Sequence, residues 1–160
     1  KSIMFFDRKE KKLITLTRND PNNPLASYSR HAFELDGYQW PSVEHYYQAM
    51  KFGDAEYAEQ IRQSPCPADA SKLGKSKKHQ RRKDWDKVRV TFMTRGSYIK
   101  CRTHPDVAQM LLDTAELEIT DVSQYDYFWG SGRDMRGNNA FGKILIGIRY
   151  KLREEMAQQA

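Results

Sequence analysis

The chain has 160 residues, of which 39% are hydrophobic and 30% are charged, and its formal net charge is +6. This composition excludes a disordered chain, and no apolar run approaches the roughly 18 residues that a membrane span needs. We therefore expect one soluble domain over residues 1–160, monomeric and without a membrane partner. The two cysteines, Cys66 and Cys101, form no disulfide or metal framework by their spacing, which favours a cytoplasmic or otherwise intracellular location.

The amino-terminal part of the chain predicts short strands. Residues 3–6 and 13–17 are rich in strand formers, which predicts two strands around a turn at 9–12. A later apolar run turns at Asp36-Gly37, a dipeptide that favours a tight hairpin.

A helix is predicted directly after the hairpin, because Ser42 is a favourable amino-terminal cap. One face of this helix has the spacing of a buried stripe, formed by Val43, Tyr46, Tyr47 and Met50. The neighbouring face carries a polar row of Glu44, Gln48 and Lys51. This row is either a candidate buried site or ordinary helix electrostatics, since acids favour the first turn of a helix and amines the last.

The rest of the chain is predicted to be mainly helical. Periodicity and capping residues predict helices over 55–63, 68–74 and 85–102, from 105, and from 140 onward, with a strand over 117–120 and a strand or ordered loop over 125–128. Together these elements predict an α+β fold, mostly helical, with a small antiparallel sheet.

A basic run over residues 72–83 is a candidate surface for phosphate or nucleic acid. Its candidate contact residues are Lys75, Lys77, Lys78, Arg81 and Arg82. A solvated loop between helices explains the same run equally well, and the net charge alone identifies no partner.

The segment 129–139 combines glycines, a tryptophan and charges without a packing period. Its glycines allow the backbone to approach a ligand, and Trp129 offers a flat face for a base or sugar. Asp134 and Arg136 lie on the same loop, and the helix that starts near Asn139 directs its positive end at it. A flexible surface loop is the alternative, because no phosphate-loop or dinucleotide fingerprint is present.

Metal and thiol chemistry have little support. No two histidines are placed at i, i+4 on one helix, and His45 is expected on a helix surface. Cys66 lies between two prolines without an activating base. We predict no metal and no cofactor.

Several segments together resemble the NADAR (YbiA-like) family. The block FELDGYQWPSVEHYYQAMKF, over 33–52, is similar to the family's signature. The segments KDWD at 83–86, DYFWGSG at 126–132 and GNNAFG at 137–142 are similar to its later motifs. The resemblance covers about residues 25–153, in order. Within it, residues 25–29 read LASYS where the family often has an asparagine.

This resemblance implies an N-glycosidase that breaks a ribose C1–N bond. It implies Glu44, Lys51 and Asp134 as catalytic residues. Glu44 would stabilise an oxocarbenium ion or activate water, and Lys51 would bind the substrate or attack C1 as an amine. Asp134 would orient a hydroxyl or water. The implied substrate-binding residues are Trp40, His45, Tyr46, Gln48, Trp85, Trp129, Gly130, Gly132, Arg136 and Asn139.

The family offers two substrate classes. One is ADP-ribosylated guanine in nucleic acid, the product of DarT-type transferases, and the other is the phosphoribosylamino intermediates of riboflavin synthesis. The basic run favours the first class and with it a nucleic-acid partner. The rival hypothesis is a non-catalytic module that binds ADP-ribose or nucleic acid.

Overall fold

The structure, a computed structural model, describes residues 13–160. Six helices and four short strands lie in this range. They are β1 (Ile14–Leu16), β2 (Phe33–Leu35), β3 (Tyr38–Trp40), α1 (Val43–Ala49), α2 (Ala55–Arg62), α3 (Pro67–Gly74), α4 (Trp85–Thr103), α5 (Pro105–Leu112), β4 (Ile119–Asp121) and α6 (Ala140–Gln159). The predicted α+β class is confirmed. The strand predicted at 3–6 lies outside the described residues.

The strands form two separate pairs. β2 and β3 make the predicted antiparallel hairpin, and Asp36 and Gly37 both have positive φ, at 55° and 83°. A tight hairpin turn with two left-handed residues matches the twist of its strands. β1 and β4 pair in parallel, with Ile14 opposite Ile119. Parallel strands need a long crossover, which five helices and the hairpin supply here, so local pattern alone did not predict this pair.

Helix α1 lies at the centre of the fold, and all seven of its residues are buried. It packs against α2, α3 and α4. The Ser42 side chain accepts a hydrogen bond from the His45 backbone N–H, which confirms the predicted cap. Because α1 is buried on every side, its polar row must find polar partners inside the protein.

The segment between β4 and α6 is an ordered loop held by backbone hydrogen bonds. The Ser131 N–H donates to the Asp121 carbonyl at 2.7 Å, and the Asn139 N–H donates to the Gly130 carbonyl at 3.0 Å. Residues 125–128 therefore form an ordered loop rather than a strand. Among residues 13–160, no helix combines the length and apolarity that crossing a membrane requires.

Candidate active site

A cleft of about 870 Å³ opens beside the carboxyl-terminal half of α1. Its walls come from the segment after β1, from α1, from the start of α4 and from the loop after β4. The cleft is strongly cationic, because five basic side chains line it, namely Arg18, Lys51, Lys75, Arg81 and Arg89. Among the described residues that line it, Asp126 is the one with a carboxylate.

Glu44 lies fully buried under this cleft, and both of its carboxylate oxygens are engaged. Oε1 accepts hydrogen bonds from Arg18 and, at 2.9 Å, from the Ser27 hydroxyl. Oε2 accepts from the Gln48 amide at 2.6 Å. The Glu44 backbone N–H also donates to the Ser27 carbonyl at 3.0 Å. Glu44 therefore acts on the cleft through Arg18 and Gln48, which line it.

The Arg18–Glu44 ion pair is the central electrostatic feature of the site. Burial is the largest single influence and lowers the pKa of Arg18, but Glu44 together with Tyr47, Tyr28 and Asp126 outweighs it, and the pKa is raised overall. The guanidinium also lies 5.7 to 5.9 Å from the ring centres of Tyr28, Tyr47 and Trp129. An aromatic cage of this kind holds a cation in place by cation–π attraction.

Lys51 lines the cleft and has the properties of a reactive amine. Burial lowers its pKa to about 8; Glu44 opposes this shift, and the neighbouring cations Arg18, Arg81 and Lys75 add to it. Its Nζ donates to the Gly74 carbonyl at 3.3 Å. Near neutral pH about a tenth of such an amine is unprotonated and nucleophilic.

The tryptophans present little ring surface to a ligand. Trp85 and Trp129 line the cleft, but they are only 1% and 5% exposed, and both pack against Tyr47. Burial raises the pKa of Tyr47 to about 12. Tyr47 and Trp129 therefore serve mainly as packing around the Arg18 guanidinium.

Sequence reasoning missed several residues that the fold brings to the cleft, and two of them bear most directly on the chemistry. The first is Arg18, 26 positions before its partner Glu44. The second is Asp126, whose Oδ1 accepts the backbone N–H groups of Phe128 and Trp129 at 3.0 and 2.8 Å. The second of its oxygens is left to interact with a ligand. The DYFWGSG segment contained the signal for Asp126, but nothing local indicated Arg18.

The loop 129–139 serves the fold more than the cleft. A Cβ on Gly130 would lie 2.9 Å from the Asp126 carbonyl, and one on Gly132, where φ is 71°, would enter the Tyr127 ring. Asn139 donates to the Ile119 carbonyl and accepts from the Asp121 N–H, which joins α6 to β4.

The two charged residues predicted on that loop are solvent-exposed. Asp134 and Arg136 form an ion pair at 3.8 Å and do not line the cleft. Asn139 does not cap α6 through its side chain. The structure therefore does not bring these three side chains to the candidate catalytic groups.

Three more predicted contact residues lie in the core instead of the cleft. The Trp40 indole donates to the Leu35 carbonyl, and its ring packs on Tyr46. His45 is fully buried, contrary to the expected surface position, and contacts the Ser42 hydroxyl and the Ser64 carbonyl. These residues support α1, while Gln48 on the same helix does line the cleft.

The basic run divides into cleft and surface residues. Its backbone is held against the segment that follows α1. Phe52 and Arg81 form an isolated antiparallel β-bridge, and the Arg82 N–H donates to the Lys51 carbonyl at 2.7 Å. Lys75 and Arg81 consequently line the cleft, whereas Lys77 and Lys78 are exposed and Arg82 is paired with Asp84. No group of three or more His, Cys, Asp or Glu side chains in residues 13–160 could hold a metal ion.

The fold is thus a mostly helical α+β domain with a cationic cleft of about 870 Å³, which the partly buried amine of Lys51 lines. The sequence model of the NADAR domain matches residues 4–153. The chain belongs to the NADAR domain family.

Relatives in this family carry enzymatic names. The chain is 31% identical over 134 residues to the N-glycosidase YbiA of Escherichia coli, covering 84% of both chains. It is 35% identical over 136 residues to an N-glycosidase of Nostoc punctiforme, covering 83% of this chain and 87% of that protein. A riboflavin biosynthesis protein of Vibrio vulnificus is 35% identical over 130 residues, which span 81% of this chain and 35% of that protein.

The fold agrees with that of a solved relative. The solution NMR structure of E. coli YbiA superposes with a TM-score of 0.83 at 29% identity, covering 92% of this chain and 88% of that chain.

Proposed function

We propose that this chain is an N-glycosidase that hydrolyses a ribose C1–N bond, with Lys51 as the reacting amine. The observation that carries the proposal is the position of Lys51 in the cationic cleft, with a pKa lowered to about 8 beside the buried Arg18–Glu44 pair. The names of the relatives in both bacterial lineages are consistent with this activity.

The chemistry begins with opening of the ribosylamine ring, which turns C1 into an imine carbon. The neutral Nζ of Lys51 attacks C1, the C1–N bond to the base breaks, and the base leaves as an amine that takes up a proton. Water then hydrolyses the Lys51–C1 imine, which releases the free sugar and restores the lysine. No oxidant or metal is required.

Glu44 and Asp126 have complementary roles in this proposal. Glu44 stabilises the positive charge that develops at C1 and Nζ, as its favourable effect on protonated Lys51 supports. Asp126 lines the cleft and uses its free oxygen to orient a ribose hydroxyl or the attacking water. Asp134, 51% exposed and ion-paired outside the cleft, does not support the role that the resemblance implied for it.

The substrate proposed is ADP-ribose attached to guanine in nucleic acid. The cleft volume of about 870 Å³ lies near the top of the ~300–1,000 Å³ range of ligand sites, which suits a dinucleotide-sized group better than a sugar phosphate. Five cations face a single lining carboxylate, a balance that suits a diphosphate. Exposed Lys77 and Lys78 extend the positive surface beyond the cleft.

A second candidate substrate is a phosphoribosylamino intermediate of riboflavin synthesis. The observation that favours it is the similarity to the Vibrio vulnificus protein named for riboflavin biosynthesis. This substrate would use the same Lys51 chemistry but only part of the cleft.

One experiment separates these proposals. The protein is incubated with guanine-ADP-ribosylated DNA and, separately, with the riboflavin intermediate, and release of ADP-ribose or ribose 5-phosphate is followed by mass spectrometry. Faster release of ADP-ribose supports the proposed substrate, and faster release of ribose 5-phosphate supports the second. Binding without release from either substrate would indicate a non-catalytic module. Borohydride added during turnover should leave a sugar adduct on Lys51, and a Lys51→Arg variant should carry none.

A further inference from the structure

Tyr125 has an exposed aromatic ring at the edge of the cleft. It lines the cleft and is 84% exposed, in contrast to Trp85 and Trp129, whose rings are almost entirely covered. Among the described residues, it is the most exposed of the large hydrophobic side chains, and it is the exposed one that lines the cleft. Its position therefore calls for a functional explanation.

The segment that carries Tyr125 is anchored at both ends. On one side, the Ser123 N–H and hydroxyl both donate to Asp121 Oδ1, at 2.9 and 2.6 Å. On the other side, Asp126 Oδ1 accepts the N–H groups of Phe128 and Trp129. The exposed ring thus stands on a short span whose flanks are fixed, which lowers the entropy cost of binding a ligand.

Arg133 supports the ring from the neighbouring loop. Its Nη2 donates to the Tyr125 hydroxyl at 3.0 Å, and its Cζ lies 5.4 Å from the ring centre. This contact holds the tyrosine side chain in one orientation and adds a cation next to the ring.

We infer that Tyr125, held by Arg133, is an outer subsite that stacks on the adenine ring of the substrate. The inference rests on the proposed function, because it requires a substrate that carries a purine beyond its phosphates. The cleft is lined by the partly buried amine of Lys51, by further cations and by the exposed ring of Tyr125, with the buried carboxylate of Glu44 beneath it. These match, in turn, the ribose, the diphosphate and the purine of ADP-ribose.

The test compares equilibrium binding of ADP-ribose and of ribose 5-phosphate by calorimetry, using Tyr125→Ala, Tyr125→Phe and Tyr125→Trp variants. Loss of the ring should weaken ADP-ribose binding about 5- to 150-fold, which is the effect that alanine substitution of a base-stacking aromatic residue ordinarily has. Ribose 5-phosphate binding should change less than twofold. The phenylalanine and tryptophan variants should retain ADP-ribose affinity, because they keep a stacking face.

The hairpin provides a matched control. Tyr38 is 54% exposed, and the Cζ of Arg62 lies 5.4 Å from its ring centre, which is a similar cation–π contact outside the cleft. Tyr38→Ala should leave both affinities unchanged. Thermal unfolding of each variant checks that the fold is retained.

Three results would overturn the inference. These are unchanged ADP-ribose affinity in Tyr125→Ala, equal weakening of both ligands, and wild-type binding of ribose 5-phosphate as tight as that of ADP-ribose. The third result leaves N-glycosidase activity on a phosphoribosyl substrate intact. Failure of the proposed function is a separate result, since it appears as absence of sugar release whatever the binding affinities.

Discussion

Glu44 is a buried acid whose carboxylate accepts hydrogen bonds from one cation, Arg18, and from two uncharged donors, Ser27 and Gln48. Replacing it by glutamine keeps its size but removes the charge that balances Arg18. We expect turnover to fall about 10²- to 10⁴-fold, the range for loss of a positioned acid or base. Breaking a buried ion pair costs up to about 3–5 kcal/mol, and less here, because the Arg18 side chain is 14% exposed at the cleft.

This prediction is checked by following sugar release and thermal unfolding of Glu44→Gln. Glu59→Gln is the matched control, because Glu59 also pairs with an arginine, Arg62, but on the surface of α2. That change should alter stability by no more than about 1 kcal/mol and leave turnover intact. Wild-type turnover by the Glu44 variant would eliminate Glu44 from the mechanism.

The lowered pKa of Lys51 predicts that the rate of sugar release depends on pH, and this effect can be measured separately from the effect of pH on stability. Because its pKa is lowered to about 8, the fraction of Lys51 that is neutral increases about tenfold for each pH unit below 8. The rate of sugar release should therefore rise between pH 6 and 8 and level off above. In the unfolded chain Lys51 keeps its proton up to the ordinary pKa of 10.5, whereas the folded protein loses it near pH 8. Between these two values the unfolded state binds more protons, so the contribution of Lys51 to the free energy of unfolding increases as the pH rises from 8 to 10.5.

Initial rates across this range, with unfolding midpoints at each pH, test the assignment. The Lys51→Arg variant keeps the positive charge but cannot present a neutral amine. It should lose turnover at every pH. A wild-type rate that does not change between pH 6 and 8 would argue against a neutral lysine as the reacting group.

At the scale of elements, the end of α3 determines the position of Gln48. A Cβ at Gly74 would lie 1.9 Å from Gln48 Oε1 and 2.6 Å from its Cδ. Alanine at this position must displace the Gln48 side chain, which donates to Glu44 at 2.6 Å. We expect Gly74→Ala to lower both the unfolding midpoint and the rate of sugar release.

The comparison for this variant is Gly147→Ala on α6. A Cβ there meets no described atom within 4 Å, and the residue is exposed. That substitution should stabilise the protein by about 0.5–1 kcal/mol, because alanine loses less backbone entropy in a helix. Calorimetry of unfolding and rates of sugar release, measured on both variants, test this prediction. A Gly74→Ala protein with unchanged stability and rate would show that Gln48 moves freely.

Turn and capping residues in the sequence predicted the helices and strands, but not which side chains these elements bring into contact. The Asp36-Gly37 turn and the Ser42 cap act over a few residues, so the hairpin and the start of α1 could be read directly. Lys100 illustrates what could not be read. It is 2% exposed, with Nζ donating to the Pro24 and Ala26 carbonyls at 2.7 and 3.0 Å. Contacts across more than 70 residues leave no local pattern.

The same limit applies to the candidate site. The polar row of Glu44, Gln48 and Lys51 was visible in the sequence. The fold places all three at or under the cleft, although α1 itself ends at Ala49 and Lys51 follows it. The partner Arg18 and the exposed Tyr125 follow from tertiary packing, which residue type does not reveal. Tryptophan was expected to stack on a ligand, but large rings are more often used to fill a core.

For the whole molecule, the net charge of +6 predicts that binding of nucleic acid depends on salt. Exposed Lys77 and Lys78 lie on the segment that also supplies Lys75 and Arg81 to the cleft. If both exposed lysines contact phosphates, the slope of log affinity against log salt should fall in magnitude by about 1.4 to 1.8 in Lys77→Ala/Lys78→Ala.

Binding of fluorescent ADP-ribosylated DNA between 50 and 200 mM salt measures this slope. Lys143→Ala/Lys151→Ala removes two exposed lysines from α6 and serves as the charge-matched control. It should retain the wild-type slope. Because these changes lie outside the cleft, release of ADP-ribose from the free modified nucleoside should stay unchanged in both variants. Equal slopes for the two variants would place the nucleic-acid surface elsewhere, since the net charge lost is the same and only its location differs.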